Sequence, residues 1–120
     1  MDDPAWAPLS RNPLGIWEIE PGWVEDNAAA VQILDVREPE EFTGPLGHIA
    51  GAVLIPLGQL AARAGELSKD RPIVAVCRSG GRSAKAIEVL RQAGFKDLAN
   101  LPGGMTRWRQ EGLRAEGGEN

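Results

Sequence analysis

The chain has 120 residues, 42% of them apolar and 25% charged, with a formal net charge of −4. This is enough for one domain with a buried core, and the single cysteine excludes an internal disulfide. One histidine beside that cysteine makes no zinc ligand set, so neither metal nor cofactor is expected, and no apolar run is long enough to span a bilayer.

Taken in chain order, residues 1–14 hold Pro4, Pro8 and Pro13, show no hydrophobic period, and read as an irregular arm. Trp6 in this arm is either packed on the domain or a partner contact. The start, Met1-Asp2-Asp3-Pro4, has neither the basic residues nor the apolar segment of a signal peptide, so a cytoplasmic location without membrane partners is expected. Ile16-Trp17-Glu18-Ile19 alternates weakly, as a short edge strand would. Pro21 suits the first turn of a helix running to about Ala29, with Trp23 and Val24 inward.

Val31 to Val36 is a strand with Asp35 near its carboxyl end, and Arg37 to Phe42 turns out of it with one helical turn. Ala52 to Ile55 is a further strand closed by Pro56. Leu57 to Ala64 is a short helix with Leu57, Leu60 and Ala61 inward, stopped at Gly65. Ile73 to Cys77 is a buried strand, and Ser83 to Ala93 is a helix with Ala86, Ile87 and Leu90 on one side and Val89 at its edge. Asp97 to Leu101 is a last strand. Gly103 to Gln110 is a final helix with Met105 and Trp108 on one face. This divides the chain into the arm, a domain over residues 15–113, and a polar tail over residues 114–120.

Short apolar strands alternating with helices imply an α/β fold, a mostly parallel sheet of five strands with helices on both faces. Sites in such sheets lie beyond the carboxyl ends of the strands, which puts Asp35-Val36-Arg37 and Cys77-Arg78 on one rim. Cys77 enters a loop, Arg78-Ser79-Gly80-Gly81-Arg82-Ser83, that leads into a helix. Glycines let the backbone curl with its N–H groups inward, and a helix N-terminus beside cations lowers a thiol pKa. The charge is uneven as well. Residues 1–30 hold six acids against one arginine, while residues 77–110 hold seven basic groups against Glu88 and Asp97. A small anionic substrate fits this pattern better than nucleic acid, which meets broader basic faces with stacking groups.

Two reactions use an anionic sulfur in an anion cradle: attack on a phosphate or arsenate centre, and attack on the outer sulfur of a donor such as thiosulfate. The phosphatase pattern places arginine after Cys and five residues. Position 83 is serine, with Arg82 one residue early, and the shorter cradle suits one bound sulfur atom.

The loop Cys77 to Ser83 resembles the single-domain rhodanese family of sulfurtransferases. So do Asp35-Val36-Arg37-Glu38-Pro39-Glu40-Glu41-Phe42, Gly47-His48-Ile49-Ala50-Gly51-Ala52 and Leu101-Pro102-Gly103-Gly104-Met105-Thr106-Arg107-Trp108. The likeness covers residues 15–112 and departs from the family at Ala50, where proline is common. It implies that Cys77 carries a persulfide and that the loop of Arg78, Ser79, Gly80, Gly81, Arg82 and Ser83 binds the substrate. Asp35 and Arg37 would then support the rim. The implied partners are a small anionic sulfur donor and a cyanide, small-thiol or protein-thiol acceptor. The alternatives are a sulfur-relay module acting on a partner protein, and a phosphatase or arsenate reductase on the same scaffold. His48 is expected to be structural, Asp35 a hydrogen-bonding brace, Met105 and Trp108 core, and Glu38, Glu40 and Glu41 solvated surface. Arg78 and Arg82 compete as the main substrate contact.

Overall fold

A computed structural model describes residues 6–118. The first five residues of the expected arm and the last two of the expected tail lie outside the described residues. The strands are β1 (Ser10–Arg11), β2 (Trp17–Glu18), β3 (Gln32–Asp35), β4 (Val53–Leu54), β5 (Ile73–Val76) and β6 (Leu98–Asn100). The helices are α1 (Pro21–Asp26), α2 (Pro39–Phe42), α3 (Leu57–Arg63), α4 (Gly81–Gln92) and α5 (Gly104–Gln110). They build an α/β fold with a mostly parallel six-stranded sheet in the order β1-β2-β6-β5-β3-β4, in which only the β1–β2 pair is antiparallel.

The sixth strand corrects the expected five. Asn12 accepts the N–H groups of Leu14 and Ile16 on its side-chain oxygen at 2.9 and 3.0 Å, closing a turn that pairs Ser10–Arg11 with Trp17–Glu18. Such a two-residue strand leaves no period to read. Because β1 covers it, β2 is not the sheet edge. Trp6 packs on the domain, half-buried, with its ring edge-on to Trp23 at 6.3 Å.

β5 organises the sheet. All four of its residues are buried, and their side chains alternate between two cores. Ile73 and Ala75, with Cys77 one step beyond, join Leu60 of α3 and Ala86, Ile87 and Leu90 of α4. Val74 and Val76 join Ile33, Ala99, Val24 of α1, and Met105 and Trp108 of α5 on the opposite face. Helices therefore cover both faces of the sheet, as its unbroken apolar strands require.

Three local details differ from the sequence reading. On α3, Leu60 is buried and Leu57 half-buried, but Ala61 is exposed, and Ala64 takes the inward position. The 57-60-64 spacing follows the helical period, whereas residue 61 lies one residue, about 100°, past the inward Leu60. Gly65 falls within a 3-10 turn, Ala64–Glu66, that extends the helix end. α4 begins at Gly81 rather than Ser83 because Gly80, at φ 112°, provides the left-handed residue that starts it. Among the described residues, no helix is long and apolar enough to cross a membrane.

Candidate functional site

Parallel pairing sets Asp35 level with Val76, so the ends of β3 and β5 open on one rim. Cys77 follows β5 there and is 1% exposed. The loop folds back over its sulfur: the Gly80 N–H lies 3.0 Å from Sγ and the Ser83 hydroxyl 3.3 Å from it. Burial pushes the thiol pKa up. The Ser83 hydroxyl and the backbone N–H groups of Ser83, Gly80 and Ser79 outweigh it and hold the thiol below its ordinary value. Ser83 lies in the first turn of α4, whose dipole also favours negative charge. The arrangement is an anion-favouring nest around the sulfur, built from three backbone amides and one hydroxyl.

Two arginines of the rim are already committed. Arg37 is 1% exposed, and its guanidinium grips the Asp35 carboxylate at 2.8–3.2 Å. Its remaining N–H groups reach the Glu41 carbonyl at 3.1 Å and the Gly47 carbonyl at 2.7 Å. Asp35 and Arg37 are thus a buried brace tying the end of β3 to α2 and to the following loop. Arg82 makes a two-point pair with the Glu41 carboxylate at 2.6 and 2.8 Å. The Arg82 hydrogen bond holds Glu41 down at a pKa of about 2. Glu41 is therefore not a free surface acid, which corrects that expectation, while Glu38 and Glu40 are exposed. The expected surface cluster was misread because the cation pairing with Glu41 lies 41 residues away in the chain.

Arg78 is the exposed cation of the loop. Together with Arg37, Glu41, Pro45 and Leu46 it lines a mainly apolar cleft of about 270 Å³ beside the sulfur loop. Ser79 and Gly81 are exposed at the mouth, and Gly80 is half-buried. His48 stacks flat on Phe42 with ring centroids 3.7 Å apart, and its Nδ1 lies 2.9 Å from the Phe42 carbonyl, a structural setting.

Two further supports were missed from sequence. Asn100, 4% exposed at the end of β6, accepts the Ser83 hydroxyl on its side-chain oxygen at 2.5 Å and donates its amide to the Gly80 carbonyl at 3.2 Å. A polar residue ending an otherwise apolar strand on the site rim was the available signal. The start of α5 is the second support. The Met105 N–H holds the Cys77 carbonyl at 2.8 Å and the Thr106 N–H holds the Arg78 carbonyl at 3.0 Å. With the Arg78 carbonyl drawn outward, the Ser79 amide that follows it faces the sulfur. A Cβ on Gly104 would meet the Cys77 carbonyl oxygen and stand 2.6 Å from the Arg78 carbonyl, so only glycine allows this approach.

The profile of the rhodanese-like domain matches residues 20–111. An uncharacterized protein of Bacillus subtilis, YqhL, is 46% identical over 77 residues, covering 64% of this chain and 60% of that protein. A putative sulfur carrier protein of the same organism, YrkF, is 42% identical over 69% of this chain but only 44% of its own length. The chain thus spans about half the length of these two curated relatives. The thiosulfate sulfurtransferase GlpE of Shewanella oneidensis is 39% identical over 69% of this chain and 80% of its own. The crystal structure of a rhodanese-related protein from Thermoplasma volcanium superposes with a TM-score of 0.75 at 34% identity, covering 81% of this chain and 94% of that one. The chain belongs to the rhodanese-like domain family.

Proposed function

We propose that the protein is a sulfurtransferase in which Cys77 carries sulfane sulfur between a donor and a thiophilic acceptor. The observation that carries the reading is the sulfur nest. Three backbone amides and the Ser83 hydroxyl hold the Cys77 thiol below its ordinary pKa, which favours the nucleophilic thiolate. Relatives named as sulfurtransferases, in Allochromatium vinosum and Shewanella oneidensis, support the same reading.

In the forward half-reaction the Cys77 thiolate attacks the outer sulfur of thiosulfate. A Cys–S–S⁻ persulfide forms and the S–S bond of the donor breaks, with sulfite leaving as the dianion. An acceptor such as cyanide then attacks the outer sulfur, thiocyanate departs, and the thiolate returns. Neither step consumes a proton or needs an oxidant. The terminal sulfur of the persulfide carries the charge that the amides of the loop stabilise. Arg78 is the residue that meets an anionic donor, because Arg82 is occupied by Glu41. Asp35 and Arg37 hold the rim in place without touching the sulfur.

Oxyanion chemistry is less well supported. Serine stands where a phosphatase loop has its arginine, and Arg82 is paired with Glu41. A protein thiol would accept the sulfur by the same chemistry as a small thiol.

Intact mass before and after thiosulfate tests the reading. The wild type should gain one sulfur and lose it to cyanide, while Cys77→Ser should gain none. Sulfur loading of Cys77→Ser, or none on a wild type that alkylates readily at neutral pH, would refute the assignment.

A further inference from the structure

The end of the chain is tied to the wall of the cleft. After α5 the Leu113 N–H returns to the Trp108 carbonyl at 3.2 Å, the Trp108 indole donates to the Arg114 carbonyl at 3.0 Å, and the Arg114 N–H reaches the Glu25 carboxylate at 2.6 Å. Leu113 and Ala115 rest against the core on the α1–α5 face. Residue 116 then pairs as an antiparallel bridge with residue 48: the His48 N–H donates to the Glu116 carbonyl at 2.9 Å and the Glu116 N–H to the His48 carbonyl at 2.8 Å. The side chains repeat the contact, with His48 Nε2 3.5 Å from the Glu116 carboxylate.

Backbone lies directly on backbone at this junction. A Cβ on Gly47 would collide with the Glu116 carbonyl, and one on Gly118 would stand 2.7 Å from the Pro45 carbonyl and 2.8 Å from the Gly47 nitrogen. Both glycines have positive φ, at 64° and 79°. The 44–48 loop so clasped supplies Pro45 and Leu46 to the cleft. Gly47 also gives its carbonyl to Arg37, which reaches Glu41, and Glu41 holds Arg82 of the sulfur loop. An unbroken series of polar contacts thus joins the tail to the Cys77 loop. These tail residues lie outside the stretch, 20–111, that matches the family.

We propose that residues 113–118 are a structural part of the donor site, a strap that fixes the Pro45–Leu46 wall and so determines which sulfur compounds the cleft accepts. The proposal rests on the sulfurtransferase reading and deepens it. A loop of this length, without the strap, would sample several positions, and substrate positioning is sensitive to displacements on the order of 1 Å. The nest itself is fixed by α4, β6 and the first turn of α5, whereas the strap meets α5 at Trp108 in its last turn, through residues 113 and 114, which both variants below keep. Its loss should therefore act on donor binding and spare the thiol.

Two variants test this. Glu116→Pro keeps the chain length but removes both the N–H given to His48 and the carboxylate, and a chain ending at Ala115 removes the clasp altogether. Each is measured with thiosulfate and with glutathione persulfide as donors, beside thermal unfolding, the pH profile of Cys77 alkylation, and hydrogen exchange at residues 44–48. The expected result is a folded protein with faster exchange at His48, an unchanged alkylation midpoint, and a KM for at least one donor raised about fivefold at similar kcat. Folded variants with both KM values unchanged would overturn the proposal, and so would a shifted alkylation midpoint. A wild type that accepts sulfur from neither donor would instead remove the sulfurtransferase reading, and that outcome is read without reference to either variant.

Discussion

Ser83 has one hydroxyl proton and three acceptors within reach: the Asn100 side-chain oxygen at 2.5 Å, the Gly80 carbonyl at 3.2 Å and Cys77 Sγ at 3.3 Å. With the Asn100 amide nitrogen on the Gly80 carbonyl, the Asn100 oxygen competes with the sulfur for that proton. Turning the amide over would present an N–H to the Ser83 oxygen and release the hydroxyl proton to a thiolate. The Gly80 carbonyl would still be held by the Ala84 N–H. Asn100 is therefore a positioning residue that sets how much the Ser83 hydroxyl gives to the sulfur. A carboxylate cannot make that turn, because it only accepts, and it brings a like charge towards the thiolate. Asn100→Asp should raise the midpoint of the alkylation pH profile by about one pH unit, with Ser83→Ala moving it in the same direction. Equal midpoints in wild type and Asn100→Asp would remove Asn100 from the site.

At the scale of elements, the brace at the end of β3 does most to keep the rim in one shape. Asp35 and Arg37 are both 1% exposed and satisfied on nearly every side, so taking one away leaves a buried charge with no counterion. Arg37→Leu should cost about 3–5 kcal/mol in urea unfolding, whereas replacing Asp35 and Arg37 together by leucine should cost less than that single change. A single variant within about 1 kcal/mol of wild type would show that water or a neighbour already neutralises Asp35. What could be read from sequence divides along the same lines. β5, Cys77, the glycine-rich loop and the apolar stripe of α4 are contiguous, and their periods are unambiguous, so strand, turn and helix follow from local pattern alone. The Glu41–Arg82 pair and the Asn100–Ser83 contact join residues 41 and 17 positions apart. Neither residue type announces such a partner. β1 was hidden for another reason: two residues between prolines carry no alternation, and only the turn built on Asn12 gives them a strand to pair with.

For the molecule as a whole, the uneven charge becomes a dependence of stability on pH. The Arg82–Glu41 pair connects α2 to the start of α4 across the rim, so it breaks only when the fold opens there. Glu41 sits at about 2 in the folded protein against an ordinary 4.5, lowered first by the Arg82 hydrogen bond. A depressed carboxylate adds stability that is fully present above the unfolded pKa and is lost as pH falls through the folded one. The window is therefore pH 4.5 down to 2. Glu41 and Arg82 are 30% and 37% exposed, so water and salt screen the pair, and its contribution is about 1 kcal/mol. Glu41→Gln should lie that far below wild type from pH 5 to 8, and the two unfolding curves should converge between pH 4.5 and 2. Parallel curves down to pH 2 would mean that the carboxylate is not held by Arg82 in solution. Arg82 would then be free, and the choice of Arg78 as the cation that meets the donor would have to be reopened.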